Sequence, residues 1–238
     1  MKISVPIFVL IFFSFVQCKS QPDHRTDTIY NYKNGSPDGI GKWYLGREIA
    51  YVMGVSGAAW LERDERQKEE NTELAIQNMK LKPTDVVADI GAGSGYYTFR
   101  LSPLVPKGKV YAVDIQDEML QLLNHRKTEL KSNNVTVVKS SDSSINLPPN
   151  SLNLAIMVDV YHELQYPHEM LQSIFKSLKK GGKLLLIEYR GEDAAVPIKP
   201  LHKTTVKQIN KEMEANGFTL FYDGEFLPIQ HFLEYQKK

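Results

Sequence analysis

The sequence predicts an α/β protein: a doubly wound, mostly parallel seven-stranded sheet, with an N-terminal helical lid before it and an antiparallel strand pair at its end. Three observations carry this. After Pro83, short β-branched runs alternate with longer amphipathic stretches. Each passage ends in a breaker such as Pro106-Lys107-Gly108, Asn133-Asn134 or Gly181-Gly182. The chain has 238 residues, 42% of them hydrophobic and 24% charged, which suits one main domain with modest additions. Strand and helix in repeated succession build a parallel sheet covered on both faces.

The first segment, residues 1–18, has the shape of a secretory signal. Lys2 precedes an apolar run from Ile3 to Val16, broken only by Ser4, Pro6 and Ser14 and ended by Gln17 and Cys18. The run is shorter than the roughly 20 apolar residues of a membrane-spanning helix. Cys18, the only cysteine, resembles the lipid-modified cysteine of bacterial lipoproteins. Gln17 and Phe15 stand where a small residue and Leu are usual. Cleavage at Cys18 with lipid attachment and an uncleaved N-terminal anchor both remain open, and both place the chain outside the cytoplasm, periplasmic or membrane-anchored. Disulfides are excluded.

Residues 19–42 are polar and turn-rich and read as a linker. Residues 43–80 read as the helical lid: Ile49, Val52 and Met53 recur at helical spacing, Ala58 to Leu61 follow, and Thr72 is placed to cap a helix holding Leu74, Ala75, Ile76 and Met79. The main domain spans 81–238. Its strands are expected at Val86 to Ile90, Val110 to Ile115, Val135 to Val138, Leu152 to Val158, Lys183 to Glu188, Phe218 to Tyr222 and Gln230 to Tyr235. Helices are expected near Tyr96 to Leu104, Asp117 to Lys131, His168 to Leu178 and Thr205 to Asn216.

The chemistry is expected at the strand ends. Asp89-Ile90-Gly91-Ala92-Gly93-Ser94-Gly95 leaves the first strand, so a ligand can approach bare backbone where a helix begins. Such a turn also serves dinucleotides and phosphates. Asp89 discriminates among them, because a carboxylate beside a pyrophosphate repels it, whereas a cationic tail is attracted. Asp114, ending the next strand with Ile115 beside it, lies about 20 residues on, where a carboxylate accepts ribose hydroxyls. Asp142 follows the third strand and is placed to accept from an adenine amino group, and Asp159 ends the fourth strand on the same rim. The formal net charge is +1 with interleaved signs, so a polynucleotide partner is not indicated.

In these motifs the chain resembles the class I S-adenosylmethionine-dependent methyltransferases over roughly Leu81 to Tyr235. The segments Gly46 to Ala50 and Gly57 to Arg63 are similar to the N-terminal signature of a group of bacterial methyltransferases, many of them exported. The resemblance implies S-adenosylmethionine as cofactor. Gly91, Gly93 and Gly95 would line its methionine part, with Ala92 between them, while Asp114 would hold the ribose and Asp142 the adenine. It implies a small or medium-sized acceptor, and it implies that the lid, with Arg47, Glu48, Trp60, Glu62 and Arg63, covers the cofactor. For proton transfer the candidates are His162, whose ordinary pKa of about 6.5 suits neutrality, Glu163 as its anchor, and Tyr161 as a shield for the sulfonium. Lys199, His202 and Lys203 either greet an anionic acceptor or form a solvated basic loop. No metal is expected, since His162 and His168 stand six apart with Pro167 between them, unlike a zinc-protease pair. A non-catalytic nucleoside sensor on the same fold and a nicotinamide-dependent oxidoreductase are the rival readings.

Overall fold

The structure, a computed structural model, describes Met1 and residues 29–237. Apart from Met1, the signal expected at residues 1–18, including Cys18, lies outside the described residues, as does the first part of the expected linker. Among the described residues no helix is long and apolar enough to cross a membrane.

Residues 30–50 correct two expectations. They form neither a linker nor a helix but a small antiparallel sheet of β1 (Tyr30–Tyr32), β2 (Gly39–Tyr44) and β3 (Arg47–Ala50). The reason is the turn chemistry. Tyr44 pairs with Arg47 across a two-residue turn whose members, Leu45 and Gly46, both have positive φ (47° and 103°), the backbone twist that tight hairpins require. Tyr30, Tyr44 and Ile49 bury one face, packed against Tyr166. Ile49 therefore belongs to a strand, and its helical spacing to Val52 and Met53 is fortuitous. The lid continues through three short helices, α1 (Ala58–Leu61), α2 (Arg66–Glu70) and α3 (Thr72–Asn78). Thr72 does not cap α3. It is buried, and its hydroxyl contacts Gln67 Oε1 and the Tyr96 hydroxyl.

The main domain follows the expected order: β4 (Val86–Ile90), α4 (Tyr96–Leu101), β5 (Lys109–Asp114), α5 (Asp117–Glu129), β6 (Val135–Lys139), β7 (Leu152–Val158), α6 (Pro167–Ser177), β8 (Leu178–Tyr189), α7 (Val206–Ala215), β9 (Phe218–Asp223) and β10 (Gln230–Lys237). The seven strands lie in the order β6-β5-β4-β7-β8-β10-β9, with β10 antiparallel to both of its neighbours and the first five strands parallel. Neighbouring residues of β4 feed opposite faces, Ala88 into one core cluster and Val87 into the other. That two-sided burial explains why these strands read as continuous apolar runs rather than as alternating ones. The chain winds from β4 outward to β5 and β6, then returns across β4 to β7. The crevice at that reversal is where open α/β sheets bind ligands.

Candidate functional site

A cavity of about 220 Å³ opens at this reversal. Its floor is the rim of β4, β5 and β7, and its roof is the lid, through Ile40, Ala50, Val52, Met53 and Leu61. Of the residues expected at a cofactor, Gly91, Gly93, Asp114, Ile115, Asp142 and Asp159 line it, together with Ser140 and Ser141. Asp89, Ala92 and Gly95 do not.

The glycine turn is fixed by its own amides. The N–H groups of Gly91 and Ala92 both donate to the Val113 carbonyl, at 2.8 and 3.0 Å, and that of Gly95 donates to the Ala92 carbonyl. The Gly93 amide donates to Asp114 Oδ2 at 2.9 Å. Gly91 has φ +70°, and a Cβ there would lie 2.6 Å from both Val160 methyls. At Gly93 a Cβ would meet Leu61 Cδ1 of the lid at 2.9 Å. The lid therefore rests directly on the turn, and glycine is needed at both positions for conformation and for space.

Asp114 is held at both ends. Oδ2 takes the Gly93 amide and Oδ1 the Gln116 amide, each at 2.9 Å. Burial raises its pKa while these backbone donors oppose the rise. Each oxygen keeps a second lone pair for a ligand hydroxyl. Asp159 sits in the left-handed backbone region (φ 54°), where a non-glycine residue is strained, and its two oxygens both accept from Gln230 Nε2 at 2.9 Å. Burial, with Glu70 and Glu188 nearby, raises its pKa well above the usual carboxylate range.

Asp89 corrects the expectation placed on it. It lies beneath the turn, 3% exposed, with Oδ2 accepting the Thr98 hydroxyl at 2.6 Å. Burial pushes its pKa up to about 6. The strand that carries Asp89 alternates its faces, so the side chain enters the layer of α4 instead of the cavity. Ala92 and Gly95 shape the turn without facing the cavity, Gly95 because Phe99 and Leu123 crowd it.

The proton-transfer candidates are divided. Glu163 lines the cavity and accepts the Met53 amide at 3.2 Å, which ties it to the lid. His162 does not line it. The imidazole is 2% exposed, with Nδ1 at 2.6 Å from Glu188 Oε2 and Nε2 at 3.1 Å from His202 Nδ1. Glu188 is itself fixed by the Val160 and Tyr161 amides on Oε1. Tyr161 is also off the cavity. Its hydroxyl donates to Glu212, which is paired with Arg47 through two 2.8 Å bonds, and burial raises its pKa well above the ordinary value. Tyr161 is thus a core residue rather than a shield. Of the basic loop, Lys199 pairs with Asp38 and Lys203 donates to the Asp193 and Val196 carbonyls, so neither lysine is aimed at the cavity.

The lid residues also separate. Trp60 is 39% exposed and stacks under Arg63 at 3.8 Å, away from the cavity. Glu62 accepts from Ser94 of the turn and from Arg126 of α5. Arg66 pairs with Glu70 at 2.8 Å, and Glu70 accepts from the Tyr189 hydroxyl, a buried cluster that pins the lid to β8. Leu61, Met53 and Gln116 were missed at the sequence level. Gln116 Nε2 donates to the Met53 carbonyl and closes the roof over the Asp114 side. Leu61 carried a detectable signal, as the large aliphatic residue beside Trp60 in the lid motif.

The arrangement suits a nucleoside whose tail is not a pyrophosphate. In a pyrophosphate site the turn amides point at the ligand, whereas here those of Gly91, Ala92, Gly93 and Gly95 are consumed internally and carboxylates face the cavity. A family model described as "Methyltransferase domain" matches residues 81–232. The chain is 30% identical over 147 residues to the ubiquinone/menaquinone biosynthesis C-methyltransferase UbiE of Pseudomonas savastanoi pv. phaseolicola, covering 61% of this chain and 53% of that protein. It is 31% identical over 105 residues to the same-named protein of Pasteurella multocida, covering 43% of this chain and 39% of the relative. The match thus spans about half the length of these curated relatives. Among solved structures, a SAM-dependent methyltransferase from Aquifex aeolicus superposes with a TM-score of 0.73 at 26% identity, covering 77% of this chain and 98% of that one.

Proposed function

The chain belongs to the methyltransferase-domain family, and from that premise we propose that it binds S-adenosylmethionine between sheet rim and lid and transfers its methyl group to a small or medium-sized acceptor. The observation that carries the reading is the combination of the inward-turned glycine amides with the cavity-lining carboxylates of Asp114, Asp142 and Glu163. A cationic ligand is favoured there and a dinucleotide is not. When bound, the cofactor supplies an electrophilic methyl on a sulfonium centre. Asp114 accepts the ribose hydroxyls and Asp142 the adenine amino group, while Ile115 offers an apolar, partly exposed wall to the ring. Leu61, Val52 and Met53 exclude water above them. Orientation of the acceptor then supplies most of the rate.

The lid side of the cavity is mostly apolar, and the curated relatives are named for C-methylation. Both support a largely apolar acceptor, with Glu163 as the carboxylate best placed to hold a proton. Incubating the purified chain with methyl-labelled S-adenosylmethionine and fractionated cell extract is expected to label one acceptor and release S-adenosylhomocysteine. Because His162 and Tyr161 lie off the cavity, a non-catalytic sensor is the second reading. Cofactor binding with no label transferred in any fraction would favour that sensor.

The export reading rests on the sequence of residues 1–18, and membership of the exported bacterial group rests on the segments Gly46 to Ala50 and Gly57 to Arg63. Cell fractionation is expected to place the chain outside the cytoplasm, and Cys18→Ala is expected to release it from the membrane if a lipid holds it. Recovery of the native chain in the cytosol would remove this part of the proposal.

A further inference from the structure

We propose that His162, Glu163 and His202 form a binding site for a divalent transition cation, zinc(II) in preference, at the edge of the cofactor cavity. The three residues present His162 Nε2, Glu163 Oε1 and His202 Nδ1 to one another within 4.8 Å. The separations are 3.1 Å between the two nitrogens, 3.4 Å from His202 Nδ1 to the carboxylate and 3.8 Å from His162 Nε2 to it. Zinc–nitrogen bonds of about 2.0–2.1 Å in tetrahedral geometry put two ligand atoms roughly 3.3 Å apart, so the cluster needs little adjustment to close on an ion.

Proton counting also points to a cation. Glu188 is buried and acceptor-only, with Oε1 taken by two backbone amides, so the 2.6 Å contact at Oε2 makes His162 Nδ1 the donor. A neutral His162 ring then turns a bare Nε2 lone pair toward His202 and Glu163. The Glu163 oxygen, already accepting from Met53, adds another. With both rings neutral, at most one proton, on His202 Nδ1, is left for the three atoms facing one point, and a cation satisfies all three. A carboxylate behind the far nitrogen is the usual outer partner of a metal-bound histidine, fixing its tautomer and raising its basicity. Two imidazoles and one carboxylate form a donor set that suits zinc and leaves at least one position open.

The spacing rule that excluded a metal considered His168, the wrong partner. The second histidine comes instead from the 3₁₀ turn Pro200–His202, and the carboxylate is adjacent in sequence. Glu163 belongs to both the cluster and the cavity wall, so an ion there is placed to polarise an oxygen of an acceptor. That consequence rests on the methyl-transfer reading; the ion site does not.

The test uses the full chain, stripped with a chelator and titrated with cobalt(II) and zinc(II) by visible absorption and calorimetry, with S-adenosylmethionine titrated in parallel. One cobalt per chain, with the intense visible bands of a low-symmetry site displaced by zinc, is expected. His202→Ala should weaken uptake at least tenfold while keeping cofactor affinity. If His202→Ala loses cofactor binding as well, Glu163→Gln carries the test, with the same loss of cobalt expected. Wild-type chain that binds the cofactor but takes up no cobalt would overturn the site, and so would uptake undiminished in both variants. Cobalt uptake at these residues without cofactor affinity would uphold the site and remove the methyl-transfer reading.

Discussion

Asp114→Asn isolates the part of the site on which nucleoside recognition depends. Asp114 accepts backbone amides from Gly93 and Gln116, both at 2.9 Å, and lines the cavity. In the asparagine variant one oxygen becomes an NH₂ group, which can neither accept a ribose hydroxyl nor face an amide donor. A hydrogen bond to a charged group contributes about 1.5–3 kcal/mol. At 1.4 kcal/mol per decade, the loss of one predicts a roughly 10- to 150-fold weaker S-adenosylmethionine affinity. Calorimetric titration measures it, and a 2′-deoxy analogue of the cofactor sharpens it. The analogue should bind less tightly than the cofactor to wild-type chain, while the two ligands should differ little for the variant. Wild-type affinity in the variant, or an undiminished preference for the hydroxylated ligand, would show that Asp114 does not hold the ribose.

Burial raises the Asp89 pKa from 3.8 to about 6, so the folded protein holds this proton more tightly than the unfolded chain does. Stability should therefore fall as pH rises from about 4 to about 6 and then level off, by roughly 3 kcal/mol at most from this group; Asp114 and Asp159 shift in the same direction. Melting curves across that window should show a smaller decline for Asp89→Asn, and equal declines would clear Asp89 of the effect. Gly91→Ala forces a side chain into φ +70° and against Val160. A strain of about 1–2 kcal/mol before any clash should lower the melting temperature by roughly 2–8 °C, and Val160→Ala should recover only the steric share. Leu61→Ala should weaken cofactor binding because Leu61 lies on Gly93, whereas the outward Trp60→Ala should leave it nearly unchanged; the reverse ranking would contradict the lid geometry.

The parallel domain was legible because its strands are buried on both faces and its breakers are strong. Strand ends at Val86, Ile90, Leu152 and Val158 coincide with the structure. The small sheet of residues 30–50 was hidden, since Gly41, read as linker punctuation, sits at positive φ inside β2, Gly46, read as part of the lid, closes the turn between β2 and β3, and strands of three to six residues leave little period. Within the site, side-chain direction was the missing information. Asp89, His162 and Tyr161 stand at the expected positions in the chain, yet a strand end or a 3₁₀ turn carries each of them into the core rather than into the cavity. Asp114, Asp142 and Asp159 have comparable sequence contexts and point the other way. The His162–His202 contact joins residues 40 apart in two separate turns, a proximity that no local spacing encodes.

The ratio of affinities for S-adenosylmethionine and NAD, measured on one preparation of the full chain, decides which cofactor the cavity takes. Amides spent within the turn and carboxylates on the cavity wall predict clear saturable binding of S-adenosylmethionine and S-adenosylhomocysteine, with NAD at least a hundredfold weaker. Tight NAD binding with none of the sulfonium ligand would contradict it.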